Sequence, residues 1–146
     1  MFDGTLARAT GKVSKLGAFM DSVFDRWGEA IVYLGIIVGG VFAGSDPVAV
    51  LGAAAMGAAF MVSYTRAKSE GLGFTAGTGM AAVGVMPREI RLVILSLGLI
   101  VAGATANLTI LAGSLAIIAI GATITVIQRI LHVRSQARSA AISTTK

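Results

Sequence analysis

The 146-residue sequence contains no cysteine, one histidine and two prolines, and only 13% of its residues are charged. Without cysteine, the chain can form neither a disulfide framework nor a thiolate metal site. Soluble domains usually carry about 25% charged residues. The shortage of charge, together with a hydrophobic content of 55%, places the chain among membrane proteins.

The basic excess of the chain does not indicate nucleic-acid binding. The net charge is +5, from 12 basic and 7 acidic residues. The basic residues are scattered between apolar runs and form no aromatic-rich basic face, so we expect no nucleic-acid partner. In membrane proteins an excess of Lys and Arg is typical of cytoplasmic loops.

Four apolar stretches predict transmembrane helices, each of which needs about 20 residues. They cover residues 16–44, 47 to about 64, 87–106 and 108 to about 131. A short turn at 45–47 and another at Asn107 separate neighbouring helices. The polar, glycine-rich stretch from 65 to about 86 is predicted to be a flexible loop.

The basic residues fall on one side of these four predicted spans. All 12 lie before or inside the first part of the first span, between the second and third, at the start of the third, or at the end of the fourth and beyond. The positive-inside rule therefore predicts that both termini and the 65–90 connection are cytoplasmic. We expect an all-α integral membrane bundle with four complete transmembrane helices, built as one domain over residues 1–146. The basic segment 132–146 is expected to be a mobile cytoplasmic tail.

Carboxylates cluster near the first predicted span. Gly17, Asp21 and Asp25 are spaced by four residues, which places them on one stripe of a helix, and Asp3 precedes them. Carboxylates near a bilayer are costly and often mark functional sites. Their oxygens suit hard cations such as Mg²⁺, which often bridge to phosphate. Alternatively, Asp21 and Asp25 are acidic residues at a solvated helix start, although like charges one turn apart repel each other.

A second candidate cluster consists of arginines at the predicted cytoplasmic ends of the last three spans. Its members are Arg66, Arg88, Arg91 and Arg129. We expect them at the same depth as the aspartates, and arginine forks suit phosphate. The alternative is that they are anchors that snorkel to the headgroups. A metal–carboxylate site beside an arginine site suggests phosphoryl chemistry on phosphorylated substrates.

The opening stretch resembles the signature of the CDP-alcohol phosphotransferase family of integral membrane enzymes, D-x2-D-G-x2-A-R-x8-G-x3-D-x3-D. The residues that match it in register are Asp3, Gly4, Ala7, Arg8, Gly17, Asp21 and Asp25. The first aspartate of the signature would fall immediately before Met1. The resemblance therefore implies the six-helix family fold without its N-terminal part, with a stub of the helix that carries Asp3.

The resemblance also implies a chemistry and a set of roles. A divalent metal, Mg²⁺ or Mn²⁺, would be bound by Asp3, Asp21 and Asp25. The CDP part of a CDP-linked lipid would be bound by Asp3, Gly4, Ala7, Arg8, Gly17 and Asp21. Asp25 would be the general base that prepares the acceptor hydroxyl, which attacks the β-phosphate and expels CMP.

Three further stretches resemble family members that use inositol phosphate, namely "SYTRAKSEG", "PREIRLVI" and "TVIQRILHVR". The resemblance implies that the acceptor phosphate is bound by Arg66, Arg88, Arg91 and Arg129. The lipid donor would be CDP-diacylglycerol or CDP-archaeol, and glycerol-3-phosphate is the alternative acceptor. Family members are usually homodimers. We expect this chain to be a multi-pass protein of the cell membrane, with its active site on the cytoplasmic side.

Two other classes of protein compete with this interpretation. A cation-binding transporter subunit would also place carboxylates in a helical bundle. However, it would place them near the bilayer midplane, and it would not need the arginine cluster. The third hypothesis is an inactive structural remnant that only packs with a partner.

Overall fold

The computed structural model describes residues 14–74 and 83–144, and this part of the chain is helical and contains no β-strand. Its helices are α1 (Lys15–Phe42), α2 (Asp46–Gly71), α3 (Arg88–Thr105) and α4 (Leu108–Thr144). The chain divides into two compact units, Met1–Val32 and Tyr33–Lys146, and α1 begins in the first unit and ends in the second. The predicted all-α class is confirmed.

Two helices in the described part of the chain are long and apolar enough to cross a membrane. They are α2 and the Leu108–Ser139 part of α4. The 37 residues of α4 extend over roughly 55 Å at about 1.5 Å per residue, which exceeds a hydrocarbon core of about 30 Å. That α1 and α3 also span the membrane stays a prediction.

The first unit contains the capped start of α1. The Oγ atom of Ser14 accepts a hydrogen bond from the Gly17 N–H at 2.9 Å, and the Ser14 carbonyl accepts one from the Ala18 N–H at 3.1 Å. Serine is favoured here because its side-chain oxygen satisfies one of the first unpaired N–H groups of the helix. The cap fixes where α1 begins, and Asp21 and Asp25 follow on later turns of this helix.

In the second unit, α1 turns sharply into α2. Gly44 has a φ of +65°, a left-handed conformation that glycine adopts without strain. The Ser45 N–H donates to the Gly40 carbonyl at 2.8 Å. Gly40 also lies so close to α2 that an added Cβ would come within 2.9 Å of the Ala49 backbone nitrogen. The absence of side chains at this corner therefore allows the two helices to approach closely.

A tight turn also joins α3 to α4. Ala106 ends α3 in a left-handed conformation, and its N–H donates to the Ala102 carbonyl. The next residue, Asn107, caps α4 by accepting a hydrogen bond from the Thr109 N–H at 3.0 Å on its Oδ1. The turn predicted at Asn107 is confirmed.

Both α2 and α3 pack against α4 in the second unit. Leu115 and Ile118 of α4 are fully buried, and they share a core with Ala55 of α2 and Leu95 of α3. Small residues such as Ala55 let helix backbones approach closely, which is how helices associate where lipid removes the usual hydrophobic driving force. This packing places the C-terminal half of α4 between the end of α2 and the start of α3.

Two predicted boundaries are wrong. The second helix continues past Tyr64 to Gly71, into the stretch predicted to be a loop. A polar side chain in this extension bonds to the backbone of the same helix: the Thr65 hydroxyl donates to the Met61 carbonyl at 2.8 Å. An ion pair four residues apart, between Arg66 and Glu70, adds to this.

The fourth helix likewise continues well beyond Leu131, to Thr144. The segment from 132 onward contains no proline or glycine that would end the helix. The mobility expected of residues 132–146, and the single domain expected over 1–146, stay predictions.

Contact between α3 and α4 depends on a missing side chain at Gly98. An added Cβ there would lie 2.5 Å from Ser114 Oγ and 2.7 Å from Ser114 Cβ. We expect Gly98→Ala to lower the free energy of unfolding by about 1–3 kcal/mol, the usual cost of overpacking. Chemical denaturation in detergent micelles measures this change.

The matched control is Gly103→Ala, five residues further along the same helix, where nothing lies within 4 Å of an added Cβ. It should leave stability unchanged or raise it slightly, because alanine favours helix over glycine. Equal destabilisation by the two substitutions would contradict the close α3–α4 contact.

Candidate functional site

The carboxylates of the first unit lie on successive turns of α1. Asp21 is exposed and Asp25 is half-buried. One turn further along, Glu29 continues the same stripe; it is only 6% exposed and forms an ion pair with Arg26 at 3.8 Å. Glu29 was not among the residues predicted for the site, although its spacing of four from Asp25 is the signal that would have found it.

Several predicted donor-site residues lie outside the described residues, namely Asp3, Gly4, Ala7 and Arg8. Within the described ranges no group of three or more acidic, histidine or cysteine side chains could hold a metal. What α1 contributes is a pair of carboxylates, Asp21 and Asp25. Hard divalent cations take oxygen ligands and keep several waters, so a carboxylate pair fits part of such a coordination shell.

The four predicted acceptor-site arginines all lie in the second unit, but in different environments. Arg66 is exposed, and its Nε donates to Glu70 Oε1 at 2.9 Å. Arg88 is half-buried at the first position of α3. Arg91 is only 1% exposed, and its Nη1 donates to the Met86 carbonyl at 3.3 Å.

Arg129 joins two other parts of the chain to α4. Its Nε donates to the Val83 carbonyl at 3.0 Å, and its Nη1 donates to the Val62 carbonyl on α2. Its residue exposure is 4%. A guanidinium carries five N–H groups, so these two bonds leave three for other acceptors.

The charges around Arg129 form a basic cluster with one acidic member. The guanidinium groups of Arg66 and Arg91 repel that of Arg129, while the Glu70 carboxylate attracts it. The structure thus brings Arg66 and Arg91 within electrostatic range of Arg129. The burial of Arg91 and Arg129 differs from what an anchor that extends to the headgroups would show.

A cavity of about 190 Å³ opens between the end of α2 and the C-terminal part of α4. Among the four predicted arginines only Arg129 lines it, and Lys68 adds a second cation. The other lining residues are largely apolar and comprise Tyr64, Thr65, Ser69, Leu72, Phe74, Ile130 and Val133. The hydroxyls of Thr65 and Ser69 already bond to backbone carbonyls of α2, which leaves an apolar wall beside the two cations.

The C-terminal half of α4 also contacts the segment that leads into α3. Thr125 Oγ1 accepts from the Met86 N–H at 2.9 Å, and Gln128 Oε1 accepts from the Val85 N–H at 3.2 Å. The flexible loop predicted to extend to about residue 86 is therefore bonded to α4 at its end. Thr125 and Gln128 were not predicted, because contacts across about 40 residues leave no signal in local spacing.

Comparison with known proteins identifies the family. Residues 1–131 match the family model described as CDP-alcohol phosphatidyltransferase. The chain is 42% identical over 93 residues to archaetidylinositol phosphate synthase of Pyrococcus horikoshii, covering 64% of this chain and 45% of that protein. It is 32% identical over 152 residues to phosphatidylinositol phosphate synthase of Streptomyces avermitilis, covering 99% of this chain and 60% of that protein. The chain belongs to the CDP-alcohol phosphatidyltransferase family.

A solved structure supports the same assignment. The crystal structure of Mycobacterium tuberculosis phosphatidylinositol phosphate synthase (PgsA1) with CDP-DAG bound superposes with a TM-score of 0.78 at 27% identity. The match covers 90% of this chain and 65% of that one. The chain thus spans less than two thirds of the length of each of these three synthases. The predicted family resemblance is confirmed.

The two bonds from Arg129 make it a structural residue, whatever else it binds. We expect Arg129→Met to lower the free energy of unfolding by about 2–4 kcal/mol, because it removes two bonds between α4 and other parts of the chain. The Val83 carbonyl loses its Arg129 donor, whereas the Val62 carbonyl still accepts from Thr65 Oγ1 at 3.1 Å. Chemical denaturation in detergent micelles is again the measurement.

The matched control is Arg134→Met on the same helix, where the arginine is exposed. It should change stability by no more than about 0.5 kcal/mol. If Arg129→Met proved as mild as this control, Arg129 would not hold α2 and the 83–87 segment to α4.

Proposed function

We propose that this chain carries the active-site part of a membrane phospholipid synthase. The reaction is the transfer of a phosphatidyl or archaetidyl group from a CDP-linked lipid to inositol phosphate, with release of CMP. The observation that carries the proposal is the family match over residues 1–131, joined to relatives named as archaetidylinositol phosphate synthase and phosphatidylinositol phosphate synthase. The CDP-DAG in the matching crystal structure supports a CDP-linked donor.

The donor half of the site is assigned to the start of the chain. We assign metal binding to Asp3, Asp21 and Asp25, and CDP binding to Asp3, Gly4, Ala7, Arg8, Gly17 and Asp21. When bound, Mg²⁺ or Mn²⁺ would neutralise negative charge on the diphosphate. Gly17 suits this role because it is exposed at the start of α1 and presents only backbone there.

Asp25 is assigned as the general base. It takes the proton from the acceptor hydroxyl, whose oxygen then bonds to the β-phosphorus as the bond from that phosphorus to the CMP oxygen breaks. The lipid phosphate passes to the acceptor and CMP leaves with the bridging oxygen. A half-buried carboxylate suits this role, because it remains accessible while its helix holds it in place.

The acceptor phosphate is assigned to the arginines of the second unit. Arg66 and Arg88 are the more accessible pair, whereas Arg91 and Arg129 each hold a backbone carbonyl and add positive charge from within. Arginine forks bind phosphate oxygens in pairs. We prefer inositol phosphate as the acceptor because the relatives are named as synthases of inositol phosphate lipids. Glycerol-3-phosphate is the alternative acceptor, since it carries a phosphate that the same arginines would bind.

The placement in the membrane completes the proposal. The chain is a multi-pass protein of the cell membrane whose α1 and α3 span the bilayer together with α2 and α4. Its termini, the 65–90 connection and the active site lie on the cytoplasmic side, in keeping with the basic residues there. We also propose that it acts as a homodimer.

The role of Asp25 predicts a loss of turnover when its charge is removed. Asp25→Asn should lower CMP release from a CDP-linked lipid by about 10²- to 10⁴-fold, the usual worth of a general base. Release of CMP is measured in membranes that contain the protein, with Mg²⁺ or Mn²⁺ present. Removing the metal with a chelator should abolish release, and adding it back should restore the rate.

Asp46→Asn is the matched control, since Asp46 is an exposed aspartate in the first turn of α2 with no assigned role. It should leave the rate within about twofold, as expected for a surface substitution. Undiminished CMP release by Asp25→Asn would rule out the assigned base.

The role of Arg88 predicts an effect confined to one substrate. Arg88→Ala should raise the KM for inositol phosphate by about 10- to 100-fold, because a hydrogen bond to a charged group contributes about 1.5–3 kcal/mol. The KM for the CDP-linked lipid should stay within about twofold. Arg138→Ala, an exposed arginine of α4, is the control. An equal rise in both KM values would count against a phosphate site at Arg88.

A further inference from the structure

One face of α4 binds the backbone of the segment that leads into α3. The residues on this face are Gly121, Thr125, Gln128 and Arg129, spaced as neighbours on successive helical turns. Thr125 accepts a hydrogen bond from the Met86 N–H, and Gln128 accepts one from the Val85 N–H. Arg129 donates to the Val83 carbonyl. Three of the polar groups of this short segment are therefore satisfied by α4 side chains.

The hydroxyl of Thr125 makes two hydrogen bonds, one as acceptor and one as donor, through the same oxygen. Its oxygen accepts from the buried Met86 N–H at 2.9 Å, and the hydroxyl donates to the Gly121 carbonyl at 2.9 Å. Serine and threonine supply both a donor and acceptor lone pairs, while valine supplies neither. Thr125 itself is 0% exposed, so no water would replace the lost bond without repacking.

The packing around these bonds leaves the segment little room to shift. Gly84 has a φ of +124°, and an added Cβ would clash with the Thr125 side chain. An added Cβ at Gly121 would meet the terminal methyl of Met86, which a flexible side chain can move away. The segment thus lies on α4 in a position that depends on the missing side chain at Gly84 and on the Thr125 hydroxyl.

The position of this segment determines the position of Arg88. Only Pro87 separates Met86 from Arg88, and a proline fixes its own φ near −65°. The Met86 carbonyl is also bonded to Arg91, so Met86 is tied both to α4 and to the first turn of α3. A shift of Met86 on α4 would therefore move the first turn of α3.

We propose that Thr125 and Gln128 are positioning residues for the acceptor-phosphate site, and that they act through Arg88 without contacting the substrate. The inference rests on the proposed function, in which Arg88 binds the phosphate of inositol phosphate. Thr125 has the greater effect because its bond to Met86 is buried and lies nearer to Arg88. Gln128, which is only partly buried, holds Val85 one residue earlier.

The test measures the Kd of inositol phosphate by calorimetry and, separately, CMP release from a CDP-linked lipid. We expect Thr125→Val to weaken inositol phosphate binding about tenfold, the scale of one lost buried hydrogen bond. Thr125→Ser should recover most of the affinity. Gln128→Leu, a milder change at a less buried position, should weaken binding by about two- to fivefold.

The control is Thr123→Val on the same helix. Thr123 is exposed, and its hydroxyl donates to the Ala119 carbonyl at 2.8 Å, the same local bond as in Thr125. This substitution should leave the Kd unchanged. In an Arg88→Ala background, Thr125→Val should have no further effect on the Kd, because residues that act as one unit are not additive.

The outcomes separate the two claims. Unchanged affinity in both Thr125→Val and Gln128→Leu would overturn the positioning role, as would an undiminished effect of Thr125→Val in the Arg88→Ala background. Failure of Thr125→Ser to rescue would do the same. Binding of inositol phosphate without CMP release would contradict the proposed reaction and leave the positioning role standing. Absence of binding by the unmodified protein would overturn both.

Discussion

The buried guanidinium of Arg129 connects three parts of the second unit by hydrogen bonds. Arg129 lies on α4 and donates to the Val62 carbonyl of α2 and to the Val83 carbonyl ahead of α3. A buried charge is costly unless its donors are used, so the surroundings of Arg129 must keep those carbonyls in place. Val62 of α2 and the segment that precedes α3 are thereby held at the same level of α4.

This constraint explains why the four arginines differ although all were predicted at the cytoplasmic ends of helices. Arg91 and Arg129 direct N–H groups at backbone carbonyls, which fixes the helices that carry the other two. Arg66 and Arg88 are more accessible and so better able to meet a ligand. Arg91 and Arg129 therefore hold the helices in place. In the proposed function, Arg66 and Arg88 make most of the direct contacts with the phosphate. The carboxylates of the first unit need no such framework, because the spacing of four along a single helix already aligns them.

Much of this could be predicted from the sequence, for identifiable reasons. The apolar runs and the turn at Asn107 come from local rules. The structure has a helix over each run and a turn at Asn107, and two of the described helices are long and apolar enough to cross a membrane. That Asp21 and Asp25 share one face of a helix follows from their spacing of four residues and the helical period alone. The stretch from residue 65 was predicted to be a loop because it is polar, whereas α2 continues to Gly71. The ion pair between Arg66 and Glu70, four residues apart, stabilises this last part of the helix.

Other features could not have been predicted from the sequence. The contacts of Thr125 and Gln128 with residues 85 and 86 join parts of the chain about 40 residues apart, and no local pattern encodes such contacts. The burial of Arg129 likewise follows from tertiary packing, since its neighbours in sequence resemble those of a membrane anchor. Spacing predicted which residues share a helix face, and only the fold shows which backbone groups those faces meet.

The proposed reaction transfers a phosphatidyl or archaetidyl group from a CDP-linked lipid to inositol phosphate and releases CMP. The most direct measurement is mass spectrometry of the lipid and nucleotide products of the purified protein in vesicles with Mg²⁺ or Mn²⁺. The protein receives CDP-diacylglycerol or CDP-archaeol, with inositol phosphate in one reaction and glycerol-3-phosphate in another. The account predicts that the reaction with inositol phosphate yields phosphatidylinositol phosphate or archaetidylinositol phosphate and CMP in equal amounts, and neither product without the metal. A lipid product formed only from glycerol-3-phosphate, or CMP released without any new lipid, would contradict it.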